Sequence, residues 1–305
     1  MVLNTEFIGV TGGSGLLGMH VISIFLSKNC KIVTFSRNKP KIKHRNLYWV
    51  KLDLNKNLSL RKLNKIFSKL ACLIHIGAFV PDGKIIQSKN YINQVNVSTS
   101  LRLARWSKTN NKHFIFLSGA AIYKDEKKKN SEESKLKLKS KNIYINSKIL
   151  SEKSISKLRN KKFKLTILRP TSIYGHGMKD NKIISILINK IKNHKHIQIQ
   201  NNEDTKINLI HAKDVAKGVF KSYKKKKYGI FNLGQNQCVN FFKIAQTLKR
   251  ISNSKSKITI TNNLNFSKML NPMDVKIQLA KKILSWSPSI NLRKGLKMQI
   301  DKKCI

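Results

Sequence analysis

Tyr144 and Lys148 are the pair in this 305-residue chain best suited to moving a proton. Residues four apart share one helical face, so an ammonium can stand beside a phenol. A free phenol titrates at about 10, and a neighbouring cation is expected to lower it. Such a hydroxyl can exchange a proton with a substrate oxygen. The second group is Thr11-Gly12-Gly13-Ser14-Gly15-Leu16-Leu17-Gly18. Gly12, Gly15 and Gly18 have the spacing that permits a tight turn, close backbone approach to a pyrophosphate and close helix–strand packing. A helix opening at Leu16 would present free N–H groups and partial positive charge at the same place. Contacts to a dinucleotide are therefore expected at Gly12, Gly15, Leu16, Leu17 and Gly18. Cys30, Cys72, Cys238 and Cys304 are scattered without metal-ligand spacing and read as free thiols. No metal site is expected.

These groups need a scaffold, and the hydrophobic pattern describes one. Glu6–Val10, Lys31–Phe35, Leu47–Leu52, Ala71–Ile76, Lys112–Leu117 and Lys164–Leu168 read as strands. Between them, Leu16–Lys28, Leu58–Lys69, Asn90–Ser107 and Ile143–Leu158 read as helices. Continuous apolar strands alternating with helices predict an α/β fold with a doubly wound parallel sheet covered on both faces. After Pro170 the pattern is less regular, with helices expected over Lys182–Lys192, Lys213–Tyr223 and Phe241–Ile251. We expect residues 1–170 to form the nucleotide-binding domain, with segments near 208–238 returning to it. Residues 171–305 would mainly form a small substrate-binding lobe. The lysine-rich stretch Lys124–Lys141 reads as an exposed loop.

The formal net charge is +48. A chain this basic attracts polyanions at low salt. Its excess is mostly lysine, spread along the whole length, with short runs such as Lys127–Lys129 and Lys224–Lys227. Abundant lysine, asparagine and isoleucine together point to compositional drift in an AT-biased coding sequence rather than to a dedicated nucleic-acid surface. No apolar run approaches the ~20 residues of a membrane span, and no signal-peptide pattern opens the chain. A cytoplasmic location is the resulting expectation.

The glycine turn resembles the TGxxGxxG turn of the extended short-chain dehydrogenase/reductases, the NAD-dependent epimerase/dehydratase group. The resemblance continues through Asp53-Leu54, His75-Ile76-Gly77-Ala78, Asn96, and Leu168-Arg169-Pro170 with Tyr174-Gly175. It extends to Ile210-His211 with Asp214-Val215, and to Leu284-Ser285-Trp286-Ser287-Pro288 with Gly295-Leu296. It implies a Rossmann-type fold, an adenine contact at Asp53 and Leu54, and a backbone under the cofactor at Gly77 and Ala78. It also implies a ribose contact from Lys148, beside the Tyr144 proton transfer. His211 and Asp214 read as structural. The position that selects between NAD and NADP is Ser36, followed by Arg37, with no acidic residue nearby. An acidic side chain there would bind ribose hydroxyls and repel a 2′-phosphate, whereas serine and arginine can hold that phosphate. NADP is favoured slightly over NAD.

Three positions depart from the resembled pattern. The family carries Ser or Thr four residues before the equivalent of Tyr123; here that position is Gly119, leaving Ser118 as the candidate hydroxyl. Neighbours along a strand face opposite ways, so Ser118 can serve only if the chain turns there. The Asp-Glu pair of the sugar 4,6-dehydratases is replaced by Ala120-Ala121, which argues against dehydration. The arginine that clamps diphosphate in many nucleotide-sugar epimerases corresponds to Ile207, beside Lys206. Thr171–Glu203 should bound the substrate cleft, with His176, Lys179 and Asn181 as candidate contacts. The expected activity is an NAD(P)-dependent oxidoreductase or epimerase acting on a nucleotide sugar or related carbonyl or alcohol. A reductase of a non-nucleotide carbonyl compound and a catalytically weakened RNA-binding relative stay open as alternatives. Family members often dimerise through two helices per subunit, here Asn90–Ser107 and Ile143–Leu158.

Overall fold

Apolar runs in the first half of the chain become strands that are covered on both faces, except for the edge strand Leu47–Lys51, where Tyr48 and Val50 stay exposed. The computed structural model describes residues 6–56, 59–81, 87–124, 128–200, 206–261 and 273–301. The first half runs β1 (Phe7–Thr11), α1 (Leu16–Leu26), β2 (Ile32–Ser36), β3 (Leu47–Lys51), α2 (Leu60–Phe67), β4 (Leu70–His75), α3 (Lys89–Asn93), α4 (Thr99–Thr109), β5 (His113–Leu117), α5 (Ile143–Ser156) and β6 (Leu165–Pro170). The second half runs β7 (Ser172–Tyr174), α6 (Ile183–Lys192), β8 (Ile197–Gln200), β9 (Lys206–Ile207), β10 (Leu209–His211), α7 (Ala212–Lys224), β11 (Gly229–Leu233), β12 (Val239–Asn240), α8 (Phe241–Ile251), β13 (Ile258–Thr261), α9 (Gln278–Leu284) and α10 (Leu292–Ile300).

The main sheet has seven strands in the order β11-β6-β5-β4-β1-β2-β3, and every neighbouring pair is parallel. On one face α1, α7 and α9 bury Val21, Phe25, Val215, Val219 and Trp286. On the other, α2, α4 and α5 bury Leu63, Phe67, Leu103, Trp106 and Ile155. A separate apolar cluster, including Ile184, Leu187, Ile244, Leu248 and Leu296, joins α6, α8 and α10. The strand order reverses between β1 and β4, which opens a crevice at the carboxyl ends of those strands.

Two local features differ from the sequence expectation. The helix expected over Asn90–Ser107 is α3 and α4 joined by a π-helical turn, Gln94–Ser98. In that turn the Asn96 carbonyl accepts from the hydroxyls of Ser100 (2.5 Å) and Ser151 (2.8 Å). Such widened turns recur at functional sites. The stretch Lys124–Lys141, of which residues 125–127 lie outside the described set, is not simply an exposed loop. Lys124 N donates to Lys135 O (2.8 Å), Lys137 N to Ile122 O (2.8 Å), and Asn130 N to Asp274 O (3.0 Å). Asn130 is buried while Lys128, Lys129 and Lys135 are exposed. Charged side chains can stay in water while the backbone beneath them is paired and buried.

Candidate active site

A cleft of about 810 Å³ lies in the crevice between the ends of β1 and β4. Its floor is the glycine turn. Gly12 has φ +75°, and a Cβ there would meet Gly77 Cα at 2.7 Å. A Cβ on Gly18 would meet the Gly12 carbonyl oxygen at 2.2 Å, so helix and turn approach only because both residues are glycine. No side chain caps the start of α1, whose N-cap is Gly15. The first-turn residues Leu16, Leu17 and Gly18 line the cleft with Gly12 and Gly15.

The floor is pinned from behind by neutral groups. Thr11 Oγ1 accepts from Gly77 N (3.1 Å) and donates to His75 Nδ1 (2.7 Å). His75 Nε2 then donates to Ser100 Oγ (2.7 Å), whose own proton goes to the Asn96 carbonyl. This direction requires a neutral imidazole. Burial first, and then the charge of Lys148, hold His75 down at about 3. Asn96 accepts from Phe79 N (2.7 Å) and donates to Phe79 O (3.0 Å) and Ser147 Oγ (2.9 Å). One buried amide thus ties the chain after Gly77 and Ala78 to α5.

Ser36, Arg37, Asp53 and Leu54 line the same cleft at the end of β2 and after β3. The Ser36 hydroxyl is already engaged: it donates to Asn38 O (2.7 Å) and accepts from Trp49 Nε1 (3.3 Å). Arg37 is exposed. Asp53 caps a local turn, accepting from Asn55 N (3.0 Å) with one carboxylate oxygen.

Tyr144, Lys148 and Ser118 also line the cleft. The cap of α5, Asn142, accepts from Ile145 N (3.1 Å) and starts the helix two residues before Tyr144. Lys148 is buried, donates to Leu117 O (2.7 Å), and lies 5.0 Å from the Phe116 ring centre and 5.9 Å from that of Tyr144. Burial lowers Lys148 to about 8, against the opposing charge of Glu152. The Tyr144 phenol is pushed up to about 12 by burial. The expectation that the cation lowers it is not met in the protein alone. Lys148 lies over the ring face, and desolvation of the phenol prevails. Ser118 N still bonds to Leu168 O (2.9 Å), but its buried hydroxyl has no hydrogen-bond partner among the described residues. Gly119 stays extended (φ −177°, ψ 151°), and the chain turns only after it, in a 3-10 turn over Ala120–Ile122.

The opposite wall comes from later elements and is mostly apolar, with Ile173, Met178, Ile183, Ile207 and Leu209, and with Lys179 and Lys182 as its cations. Neither His176 nor Asn181 is among the lining residues, and Lys206 is exposed beside Ile207. Residues 201–205, including Glu203 at the end of the expected cleft boundary, lie outside the described set. His211 caps α7, accepting from Lys213 N (3.1 Å), and Asp214 accepts from Ser289 N (3.0 Å) and Ile290 N (2.8 Å). Both residues hold the fold together.

The model of the NAD dependent epimerase/dehydratase family matches residues 8–234. The chain belongs to that family. It is an enzyme of the extended short-chain dehydrogenase/reductase type. Over 304 residues, 94% of each chain, it is 24% identical to the dTDP-4-dehydro-6-deoxyglucose reductase of Escherichia coli. Over 143 residues it is 29% identical to the UDP-glucuronate 4-epimerase of Thermodesulfobacterium geofontis, covering 45% of this chain and 42% of that one. The fold is shared with UDP-N-acetylglucosamine 4-epimerase from Bacillus cereus, with TM-score 0.81, 20% identity, and coverage of 97% and 96% of the two chains. UDP-glucose 4-epimerase from Thermotoga maritima gives TM-score 0.82 at 19% identity, covering 97% of each chain.

The residues of this family member fit a dinucleotide. The uncapped first turn of α1 offers N–H groups to a pyrophosphate, and the glycine floor leaves no side chain in the way. All the residues picked from sequence for cofactor and catalysis border one cleft. Missed, among others, were Phe79, Val80, Tyr91 and Leu209, which also line it. Phe79 and Val80 follow Gly77-Ala78 directly and could have been found by adjacency. Tyr91 and Leu209 carry no local signal, because only packing brings them there.

Proposed function

We propose that this enzyme uses NADPH to reduce a carbonyl carbon of a nucleotide-linked sugar, with Tyr144 as proton donor and Lys148 and Ser118 beside it. The observation that carries this reading is the meeting of Tyr144, Lys148 and the unpaired Ser118 hydroxyl in one cleft with the glycine turn. The nicotinamide, when bound, supplies the hydride. Tyr144 keeps its proton at neutral pH, since burial holds the phenol near 12, and a proton donor is what a developing alkoxide needs. Lys148 would hold the nicotinamide ribose. Ser118 would donate to the substrate oxygen, strengthening as negative charge builds there. Arg37 would pair with a 2′-phosphate; with the Ser36 hydroxyl committed to Asn38, the NADP preference rests on Arg37. Dehydration is disfavoured, because Asp53, next to Leu54 and far along the chain from Tyr144, is the only carboxylate among the described lining residues.

The near end-to-end likeness to a sugar-nucleotide reductase supports reduction. In this reading residues 171–305 mainly form the sugar-binding wall, while segments near 208–238 return to the dinucleotide domain. Assembly as a homodimer through α4 and α5 belongs to the same reading, supported by the exposed Ile143 and Leu150 on α5. The test is turnover of NADPH with keto-sugar nucleotides by wild type and Tyr144→Phe. The variant should lose on the order of 10²–10⁴ in kcat while still binding NADPH. Equal turnover by the variant would defeat the assignment. Tightly retained NAD with interconversion of epimers would replace reduction by epimerisation. Activity only on carbonyl compounds lacking a nucleotide would favour the reading suggested by Ile207.

A further inference from the structure

Tyr144, Lys148 and Glu152 follow one another at four-residue intervals on α5, so they form a single stripe along the helix. Only the first two have been given work. Glu152 is 1% exposed and Lys148 6% exposed, which makes this a buried cation with a buried anion one turn away. Lys148 satisfies one of its protons on the Leu117 carbonyl and faces the Phe116 ring with the rest of its charge. A carbonyl and a ring face compensate a buried ammonium only in part.

The carboxylate of Glu152 is held in a lopsided way. Arg169 on β6 donates to Oε1 through Nε (3.0 Å) and again through Nη2. Glu152 Oε2 is buried and has no hydrogen-bond partner among the described residues. Arg169 is itself fixed by further bonds, donating through Nη1 to Tyr123 Oη (2.7 Å) and to Glu132 O (2.9 Å). Tyr123 donates in turn to Asn232 Oδ1 (2.7 Å) on β11. The carboxylate is therefore clamped by a network that reaches across β6 and β11, and it cannot swing away from α5 without breaking that network. A clamp that used both oxygens would suffice for structure; this one leaves an anionic oxygen unpaired inside the protein.

We propose that Glu152 is a positioning residue whose clamped carboxylate keeps Lys148 an ammonium within the site, with Arg169 fixing its orientation. The proposal rests on the reading of Lys148 as a cofactor-side cation. The groups around Lys148 agree with it. Tyr144 and Glu152 face it from its own helix, and His75 faces it from β4 as a neutral ring. From β5 it meets the Phe116 ring and the Leu117 carbonyl, and Arg169 on β6 acts on it through Glu152. Glu152 is the one group that raises Lys148, while burial pulls it down to about 8. Without that carboxylate the balance falls further toward the neutral amine. A neutral amine would lose the charge that pairs with negative charge developing near Tyr144.

The test is a direct titration of Lys148 in the full chain without dinucleotide, by NMR of 13C,15N-lysine-labelled protein, with Lys148→Met to assign the signal. Wild type should titrate near 8. Glu152→Gln should move the midpoint down by about one pH unit or more, the size expected for losing an opposite charge near a buried group. Glu152→Asp, which keeps the charge, should restore most of it. Because Glu152→Gln leaves Arg169 buried without its partner, the double variant Glu152→Gln/Arg169→Met is measured beside it. Removing both charges spares the fold while still removing the anion, and its midpoint should also fall. A wild-type midpoint at the ordinary lysine value, or unchanged midpoints in the folded variants, would overturn the proposal. If the midpoints shift as expected and no dinucleotide binds at any pH, the cofactor reading fails and the positioning role stands.

Discussion

The two walls of the cleft are built on opposite principles. The wall formed by Gly12 and Gly18 is backbone held against backbone, locked from behind by short hydrogen bonds through the neutral side chains of Thr11, His75 and Asn96. The wall formed by Ile173, Met178, Ile183, Ile207 and Leu209 is side chains, mostly apolar, brought by short strands and one helix. The first wall tolerates almost no change, because a single added Cβ at Gly18 would sit 2.2 Å from a carbonyl oxygen. The second can exchange one apolar side chain for another without disturbing the main sheet. A family can therefore keep its cofactor chemistry fixed and vary its substrate, since the two tasks are carried by structures of different rigidity.

Ser118 lines the cleft just beyond the end of β5, with Gly119 next to it in the chain, and a large effect is expected there. Ser118→Ala should cut kcat by on the order of 10²–10³ by removing a donor to the reacting oxygen. Gly119 has extended backbone (φ −177°), and a Cβ there would meet nothing nearer than Pro170 O at 3.9 Å. Gly119→Ser should therefore fold normally and recover part of the loss in the Ser118→Ala background. Steady-state kinetics on the single and double variants decide the matter. Undiminished kcat in Ser118→Ala would remove this serine from the reaction.

A second effect, on stability rather than rate, tests the neutral state of the buried histidines, among them His75 behind the first wall. His20, His113 and His211 are lowered to about 4, and His75 to about 3, mainly by burial. Their folded values lie below the unfolded 6.5, so the unfolded chain binds more protons between those limits. Stability is then fully present above about 6.5 and is lost as pH falls toward 4, by about 2 kcal/mol per histidine at pH 5. Thermal melts should show Tm falling steadily from pH 7 to pH 5. A flat Tm over that range would contradict the buried neutral assignment.

A third effect probes the cofactor end, where the rigid wall gives way to an exposed side chain. Arg37→Glu should weaken NADPH binding by about 1.5–3 kcal/mol, the worth of a hydrogen bond to a charged group. NADH binding should change far less. Fluorescence titration of both dinucleotides measures this. Equal losses for NADPH and NADH would mean that Arg37 does not read the 2′-phosphate.

The sequence by itself determined the repeating strand–helix order, the glycine turn and the Tyr144–Lys148 pair, because each depends on residues close together in the chain. Apolar periodicity, glycine spacing and helical register are local properties. Tertiary structure alone decided that Asn130, within the stretch read as an exposed loop, pairs with Asp274 and Lys276, because those partners lie more than a hundred residues away. It also decided that the Tyr144 phenol rises rather than falls, since desolvation depends on what surrounds the ring and not on the lysine four residues on. The same holds for Ser118: its neighbour Gly119 could be read from the chain, but only the folded structure shows that hydroxyl buried at the cleft and without a hydrogen-bond partner among the described residues.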